Sequence, residues 1–105
     1  MENKPICRVH KCGHKYWYLN GRLHREDGPA IEYTNGESHW VVHSKSHRLD
    51  GPAVILANGE TKWFINDYNV TDKINKWAKE NDIDLDNLSD VDKALIKIVW
   101  ADYGK

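Results

Sequence analysis

The chain is poor in the features that mark secreted or membrane-spanning proteins. It has two cysteines in 105 residues, and a bridge between Cys7 and Cys12 would close so short a loop that it would hardly constrain the unfolded chain. We therefore expect free thiols in a reducing compartment. No apolar run approaches the length of a membrane span, and residues 1–5 lack the apolar segment of a signal peptide. These absences predict one cytoplasmic domain over residues 1–105, with no membrane contact.

An excess of charge of either sign is also missing. Fifteen basic residues face sixteen acidic ones, so no global field steers the protein toward nucleic acid or an anionic surface. The sequence has no phosphate-binding loop, nucleophile elbow or HExxH motif. We therefore predict that the protein is not an enzyme and binds no cofactor.

The chain does contain a repeat of 23 residues. The phrase His-Arg-Glu-Asp-Gly-Pro-Ala at 24–30 returns as His-Arg-Leu-Asp-Gly-Pro-Ala at 47–53, and Trp17, Trp40 and Trp63 keep the same spacing. A fixed period of this length is typical of stacked supersecondary units. The repeat therefore predicts architecture rather than chemistry.

Turn signals in the repeat predict an antiparallel meander of five to six strands. The dipeptides Asn35-Gly36 and Asn58-Gly59 supply the positive φ angles of tight hairpins, and Cys12-Gly13 takes their place in the first copy. The predicted strands cover residues 15–19, 29–33, 38–42, 52–56 and 61–65, with a weaker one at 6–10. Two longer loops, 20–28 and 43–51, contain the repeated phrase.

Alternation along these strands predicts one apolar face and one mixed face. The predicted core face carries Trp17, Leu19, Ile31, Tyr33, Trp40, Val42, Val54, Leu56, Trp63 and Ile65. The mixed face carries Tyr16, Tyr18, Glu32, His39, Val41, Ile55, Lys62 and Phe64. It is too aromatic for a surface that is merely solvated.

After residue 70 the pattern becomes helical, and two helices are predicted to cap the repeats. Thr71 is the predicted cap of a helix over 72–80, and Ser89 opens a capping box for a helix over 90–102. The second helix has two apolar stripes. One stripe comprises Val91, Ala94, Leu95, Ile98 and Val99, and the other Ile96, Trp100 and Tyr103. The predicted class is thus α+β, with repeats over 1–70 and a helical cap over 71–105.

The repeated phrase has catalytic residue types, but its duplication argues for a scaffold role, since an active site needs one set in one cavity. Asp27 can accept from backbone N–H groups in a turn, Gly28 can permit the bend, and Pro29 can open the next strand. Arg25 can pair with the carboxylate, and His24 can lie over an aromatic ring. The second copy is interpreted in the same way, and a ligand-binding edge remains the alternative.

Two clusters resemble metal sites, and each fails at a specific position. Cys7, His10, Cys12 and His14 are zinc-ligand types, but they crowd into eight residues. The acids of residues 82–90 suit a calcium loop, yet its twelfth position is Lys93 instead of glutamate. We predict no bound metal.

The repeat unit, with Trp-Tyr-Leu-Asn-Gly-x-x-His-Arg-x-Asp-Gly-Pro-Ala and a later Asn-Gly, resembles the MORN repeat over roughly residues 12–66. It is most similar to a divergent branch of that family in phages, large DNA viruses and some bacteria. The resemblance implies successive β-hairpins that serve as a scaffold or interaction surface, and it supplies no catalytic residue. It departs from the common pattern because His-Arg-x-Asp-Gly replaces His-Gly-x-Gly.

We therefore expect a protein-binding, inhibitory module of phage type that occludes a host, defence or toxin protein in the cytoplasm, of the host if the source is viral. The predicted partner-binding residues are Tyr16, Tyr18, His39, Phe64, Trp100 and Tyr103, with self-association left open. The alternative is a nucleic-acid-binding protein that uses Arg22, Arg25, Lys45 and Arg48 with the exposed tyrosines.

Overall fold

The computed structural model describes residues 4–105. Over that range the chain forms eleven short strands and then two helices. The strands are β1 Ile6–Val9, β2 Lys15–Leu19, β3 Arg22–Leu23, β4 Ile31–Glu32, β5 Ser38–His39, β6 Val41–Val42, β7 Lys45–Ser46, β8 Val54–Ile55, β9 Thr61–Lys62, β10 Phe64–Ile65 and β11 Tyr68–Asn69. The helices are α1 Thr71–Glu80 and α2 Asp90–Trp100. The predicted α+β class, an antiparallel meander followed by two helices, is confirmed.

Seven strands form one antiparallel sheet in the order β1-β2-β4-β5-β8-β9, with β3 paired to β2. Its predicted Asn-Gly hairpins are present. Gly36 and Gly59 have φ angles of 94° and 91°, and the side chain of Asn35 accepts a hydrogen bond from Glu37 N at 3.0 Å. Asn58 and Glu60 repeat this contact at 3.0 Å. These turns were recognisable because their residue types favour the backbone angles that they need.

Each repeat also contains a second hairpin that the prediction missed. β2 pairs with β3, β6 with β7, and β10 with β11. Their two-residue turns at 20–21, 43–44 and 66–67 all have positive φ. The predicted loops 20–28 and 43–51 are therefore wrong in part, since they contain β3 and β7. The predicted strands 38–42 and 61–65 are each divided at a tryptophan, because their second halves leave the main sheet for these hairpins.

The predicted separation of the two sheet faces is wrong. Tyr16 pairs with Ile31, Ile31 with His39, and His39 with Val54, and directly paired residues point to the same side of a sheet. Ile31 and Val54 were assigned to the core face, and Tyr16 and His39 to the mixed one. Alternation gives the phase within a strand, but the phase between strands depends on the geometry of the intervening loop.

The principal core lies where the helices meet the last repeat. It consists of Trp63, Ile65, Val70, Ile74, Ile96 and Trp100, with Leu49, Trp77, Leu85, Leu88 and Tyr103 packed around it. Trp17 and Trp40 are only half-buried. The two helices thus take the place of a further repeat against Trp63 and Ile65.

The helix starts follow different rules. Ser89 caps α2 as predicted, accepting from Asp92 N while Asp92 accepts from Ser89 N. Thr71 does not cap α1 as predicted, because it is the first helical residue and follows Val70. Its hydroxyl accepts a hydrogen bond from Trp63 N at 3.0 Å. In the earlier repeat the corresponding N–H, that of Trp40, donates to Ala53 O. Thr71 therefore replaces a missing repeat contact.

Candidate partner-binding surface

The arginines of the repeated phrase are held inside their own loops. The Arg48 guanidinium lies 3.8 Å from the centroid of the Trp40 ring. Its Nε donates to Asp50 at 2.8 Å and its Nη1 to the carbonyl of Pro52 at 3.1 Å. Burial alone would raise the pKa of Asp50, but the hydrogen bond and positive charge of Arg48 hold that pKa below its usual value.

The first copy has the same arrangement. Arg25 lies 4.0 Å from the Trp17 centroid and donates to Asp27 at 3.1 Å and to Pro29 O at 3.2 Å. The predicted arginine–aspartate pairing is confirmed in both loops. Each guanidinium uses two of its five N–H donors within its own loop and lies against a tryptophan ring, which restricts its approach to a phosphate.

The chain bends at both glycines of the phrase, as predicted, and the structure adds a second reason for glycine at these positions. A Cβ atom added to Gly28 or Gly51 would lie 2.6 Å from the Cζ atom of Arg25 or Arg48. Neither glycine has a positive φ angle. They are needed because the guanidinium lies directly against the backbone on the side opposite the tryptophan.

The histidines of the phrase join consecutive repeats. His24 Nδ1 accepts from His43 N at 2.9 Å, and His47 Nδ1 accepts from Asn66 N at 3.0 Å. An Nδ1 atom that accepts must be unprotonated. Burial, and to a smaller extent Lys105, lowers the pKa of His47, which keeps this acceptor available. The His24 ring does contact an aromatic neighbour, His43, with centroids 4.5 Å apart.

Of the four residues in the nucleic-acid alternative, only Arg22 and Lys45 are exposed, and each lies in a short hairpin strand. Arg25 and Arg48 point inward to their tryptophans. The structure therefore does not bring the four cations together into one open surface.

Two of the predicted partner residues belong to an aromatic row on the main sheet. The Tyr16 ring lies 4.6 Å from His10 and 6.2 Å from Tyr33, and Tyr33 lies 5.8 Å from His39. Tyr16 and His39 are half-buried. Desolvation, followed by the neighbouring Tyr33, raises the pKa of the Tyr16 phenol. Tyr33, assigned from sequence to the core face, is the residue that links the row.

Tyr18 lies in the hairpin of β2 and β3, and Phe64 lies in the hairpin of β10 and β11. The repeat between them has the buried Val41, which is 6% exposed, at the equivalent position. Val41 was predicted to share the open face, and this is wrong. Its carbonyl accepts from Arg25 N, and the carbonyl of Phe64 accepts from Arg48 N, so this position contributes to stacking between repeats.

Trp100 is not available to a partner, contrary to the prediction. It is 9% exposed and lies in the core beside Ile96, which is fully buried. Its ring meets Trp77 edge-on, with centroids 5.9 Å apart. Tyr103 is half-buried against that core, and its hydroxyl accepts from Lys73 Nζ at 2.6 Å. The predicted roles of the two α2 stripes are therefore reversed.

The exposed stripe of α2 comprises Val91, Leu95, Ile98 and Val99, which we call the α2 stripe. Val91 is 77% exposed, Ile98 80%, Val99 49% and Leu95 37%. The spacing of these residues had already identified the stripe, but not that the helix turns it toward solvent. The tryptophan and tyrosine of the other stripe were the signal that could have identified the buried side, because burying their larger apolar area contributes more free energy.

Acidic groups border the α2 stripe. Asp102 lies two residues after the end of α2 at Trp100, and its side chain is 92% exposed and lies 3.6 Å from Lys105 Nζ. Asp92 precedes Leu95 by three residues and lies along one edge. Lys97 precedes the buried Trp100 by three and lies on the other side of the helix. The stripe is therefore apolar, with the Asp92 carboxylate along one edge and the exposed Asp102–Lys105 ion pair beyond its C-terminal end.

Residues 4–105 contain no group of three or more His, Cys, Asp or Glu side chains placed to hold a metal ion. Cys7 and Cys12 are free and exposed. Cys7 pairs with Trp17, whereas His10 contacts Tyr16 on the other face of the sheet. In the acidic segment, Asp84 instead accepts from Asp86 N at 2.9 Å.

Neither helix in the described part of the chain is long and apolar enough to cross a membrane. Comparison of the chain with protein-family models, curated proteins and solved structures finds no match.

Proposed function

We propose that the protein is a non-enzymatic binding module that engages a protein partner through the α2 stripe. The observation that carries this proposal is the exposure of four aliphatic side chains on one helix face whose opposite face already seals the core. Contiguous exposed apolar surface of this kind is typical of interaction sites in soluble domains.

The charge around the stripe specifies the partner's chemistry. Asp92 and Asp102 favour a segment that brings aliphatic side chains bordered by lysine or arginine. Lys105 Nζ lies 3.6 Å from Asp102 Oδ1, and in this exposed ion pair a lysine or arginine of the partner can replace it. We therefore propose a basic, amphipathic segment of another protein as the occupant, and the resemblance to MORN repeats supports an occluding role against a host, defence or toxin protein in the cytoplasm.

The nucleic-acid alternative has less support. The exposed cations Arg22 and Lys45 remain, but the two arginines of the phrase are each bound by aspartate, a carbonyl and a tryptophan ring. Binding that weakens steeply as salt rises, with a slope set by several phosphate contacts, would favour this alternative.

The test begins with affinity capture and then compares purified variants against the captured partner. Ile98→Ser removes an aliphatic side chain from the α2 stripe, and Val9→Ser removes one that is 63% exposed on β1. We expect Ile98→Ser to weaken binding by about 2 kcal/mol, or roughly thirtyfold, and Val9→Ser to have little effect. Asp102→Lys should also weaken binding.

Each variant must keep the circular dichroism spectrum and melting temperature of the unmodified protein. If folded Val91→Ser/Ile98→Ser binds the partner with unchanged affinity, the α2 stripe is not the site. If sedimentation shows a dimer that this variant abolishes, the occupant is a second copy instead of a basic partner.

A further inference from the structure

The turn of the β6–β7 hairpin has both of its backbone N–H groups bound by the preceding repeat. His43 N donates to His24 Nδ1 at 2.9 Å, and Ser44 N donates to Leu23 O at 3.0 Å. Both turn residues have positive φ, 49° and 63°. The two donors therefore point together toward the preceding unit.

The β10–β11 hairpin repeats this geometry one unit later. Asn66 N donates to His47 Nδ1 at 3.0 Å, and Asp67 N donates to Ser46 O at 2.9 Å. The turns of the β6–β7 and β10–β11 hairpins therefore each bind two acceptor atoms of the unit before them.

The first hairpin has the same turn without these acceptors. Asn20 and Gly21 have φ angles of 51° and 79°, but within residues 4–105 neither N–H group has a hydrogen-bond acceptor. One period earlier, residues 4–7 read Lys-Pro-Ile-Cys in place of Asp-Gly-Pro-Ala. Among the described residues, this turn therefore presents two adjacent donors without an acceptor.

Cationic side chains adjoin these donors. A surface cavity of about 500 Å³ is lined by Lys4, Ile6, Arg8, Tyr18, Asn20 and Gly21. The pairing of Ile6 with Tyr18 extends β1 along β2 toward the turn, and alternation places Lys4, Ile6 and Arg8 on one side of β1. Two positive charges and no carboxylate line this cavity.

We propose that this cavity binds an oxyanion, a carboxylate or a phosphate. Two of its oxygens accept from Asn20 N and Gly21 N, in the positions that an imidazole nitrogen and a carbonyl oxygen occupy in the later repeats. Adjacent N–H groups in a turn form a concave site that favours anions, and Lys4 and Arg8 supply charge-assisted hydrogen bonds. The apolar contacts of Ile6 and Tyr18 suit an anionic group on a larger molecule.

The test follows backbone amide resonances by NMR at constant ionic strength. One arm titrates acetyl-glutamate amide as the carboxylate, and the other titrates inorganic phosphate. We expect saturable shifts at Asn20 and Gly21, and none at the equivalent but occupied turn residues Ser44 and Asp67. Saturation in one arm identifies the source of the oxyanion, and saturation in both supports the shared chemistry.

Lys4→Gln/Arg8→Gln should raise the midpoint of the titration at least about tenfold, the factor expected for the loss of one charge-assisted hydrogen bond. The control Lys62→Gln/Lys76→Gln removes two exposed cations elsewhere and should leave the midpoint unchanged. The proposal is overturned if neither anion saturates, if all three turns shift alike, or if the two double variants behave identically.

Discussion

Gly51→Ala tests the arrangement that explains the repeated phrase. The added methyl would lie 2.6 Å from Arg48 Cζ and 2.9 Å from both terminal nitrogens, so the guanidinium must leave its place between Gly51 and Trp40. The far end of a flexible side chain moves readily. The cost is therefore the loss of the interactions that Arg48 makes, rather than a backbone rearrangement.

The loss in free energy of unfolding can be estimated from the interactions that Arg48 makes. The hydrogen bond from Arg48 to Pro52 O contributes about 1.5 kcal/mol as a bond from a charged donor. The stacking on Trp40 contributes about 0.5–2 kcal/mol. The pair with Asp50, whose side chain is 42% exposed, contributes about 0.2–1 kcal/mol after screening. Gly51→Ala should thus lower the free energy of unfolding by roughly 2–4.5 kcal/mol.

Urea unfolding monitored by tryptophan fluorescence measures this loss, and a double-mutant cycle identifies its cause. Arg48→Met keeps the apolar stem of the side chain but removes the guanidinium. In that background Gly51→Ala should cost close to nothing, since no group remains to be displaced. The reasoning is refuted if Gly51→Ala is neutral by itself, or if its cost is the same with and without Arg48.

Three further outcomes are expected. Ile96→Ala should cost about 2–5 kcal/mol in urea unfolding because its side chain is fully buried, whereas Ile98→Ala, at 80% exposure, should stay within about 0.5 kcal/mol; equal losses would contradict the orientation of α2. The pKa of His47 is lowered in the folded state, so just below pH 6.5 the unfolded state binds more protons than the folded state. The contribution of neutral His47 to the free energy of unfolding is therefore present above pH 6.5 and is lost as the pH falls toward the folded-state pKa. His47→Gln should therefore reduce the difference in stability between pH 7.5 and pH 5, and an unchanged difference would show that the bond to Asn66 is not the acid-sensitive contact. Gly28→Ala should cost less than Gly51→Ala in the same assay, because the Asp27 side chain is 89% exposed and its pair with Arg25 is weaker; a larger cost in the first copy would contradict this ranking.

Features that depend on residues close in sequence were predictable. The 23-residue period, the Asn35-Gly36 and Asn58-Gly59 hairpins, the Ser89 capping box and the α+β class all follow from local backbone preferences and short-range hydrogen bonds. The second hairpins were not predicted. The Asn20-Gly21 dipeptide was assigned to a longer loop although it favours a tight turn. The turns of 43–44 and 66–67 contain no glycine, and the bonds from His24 and His47 to these turns come from the previous repeat.

The tertiary structure decided which of two plausible surfaces is buried. Periodicity identifies two apolar stripes on α2 without a preference between them, and it defines the alternation within each strand but not the phase relative to neighbouring strands. Packing made both choices. Trp100 and Ile96 fill the space beside Trp63 and Ile65 where a further repeat would lie, and this orientation leaves the α2 stripe facing solvent. Burial is settled by the fit between surfaces that are distant in the sequence, and therefore a local pattern identifies the candidates without choosing among them.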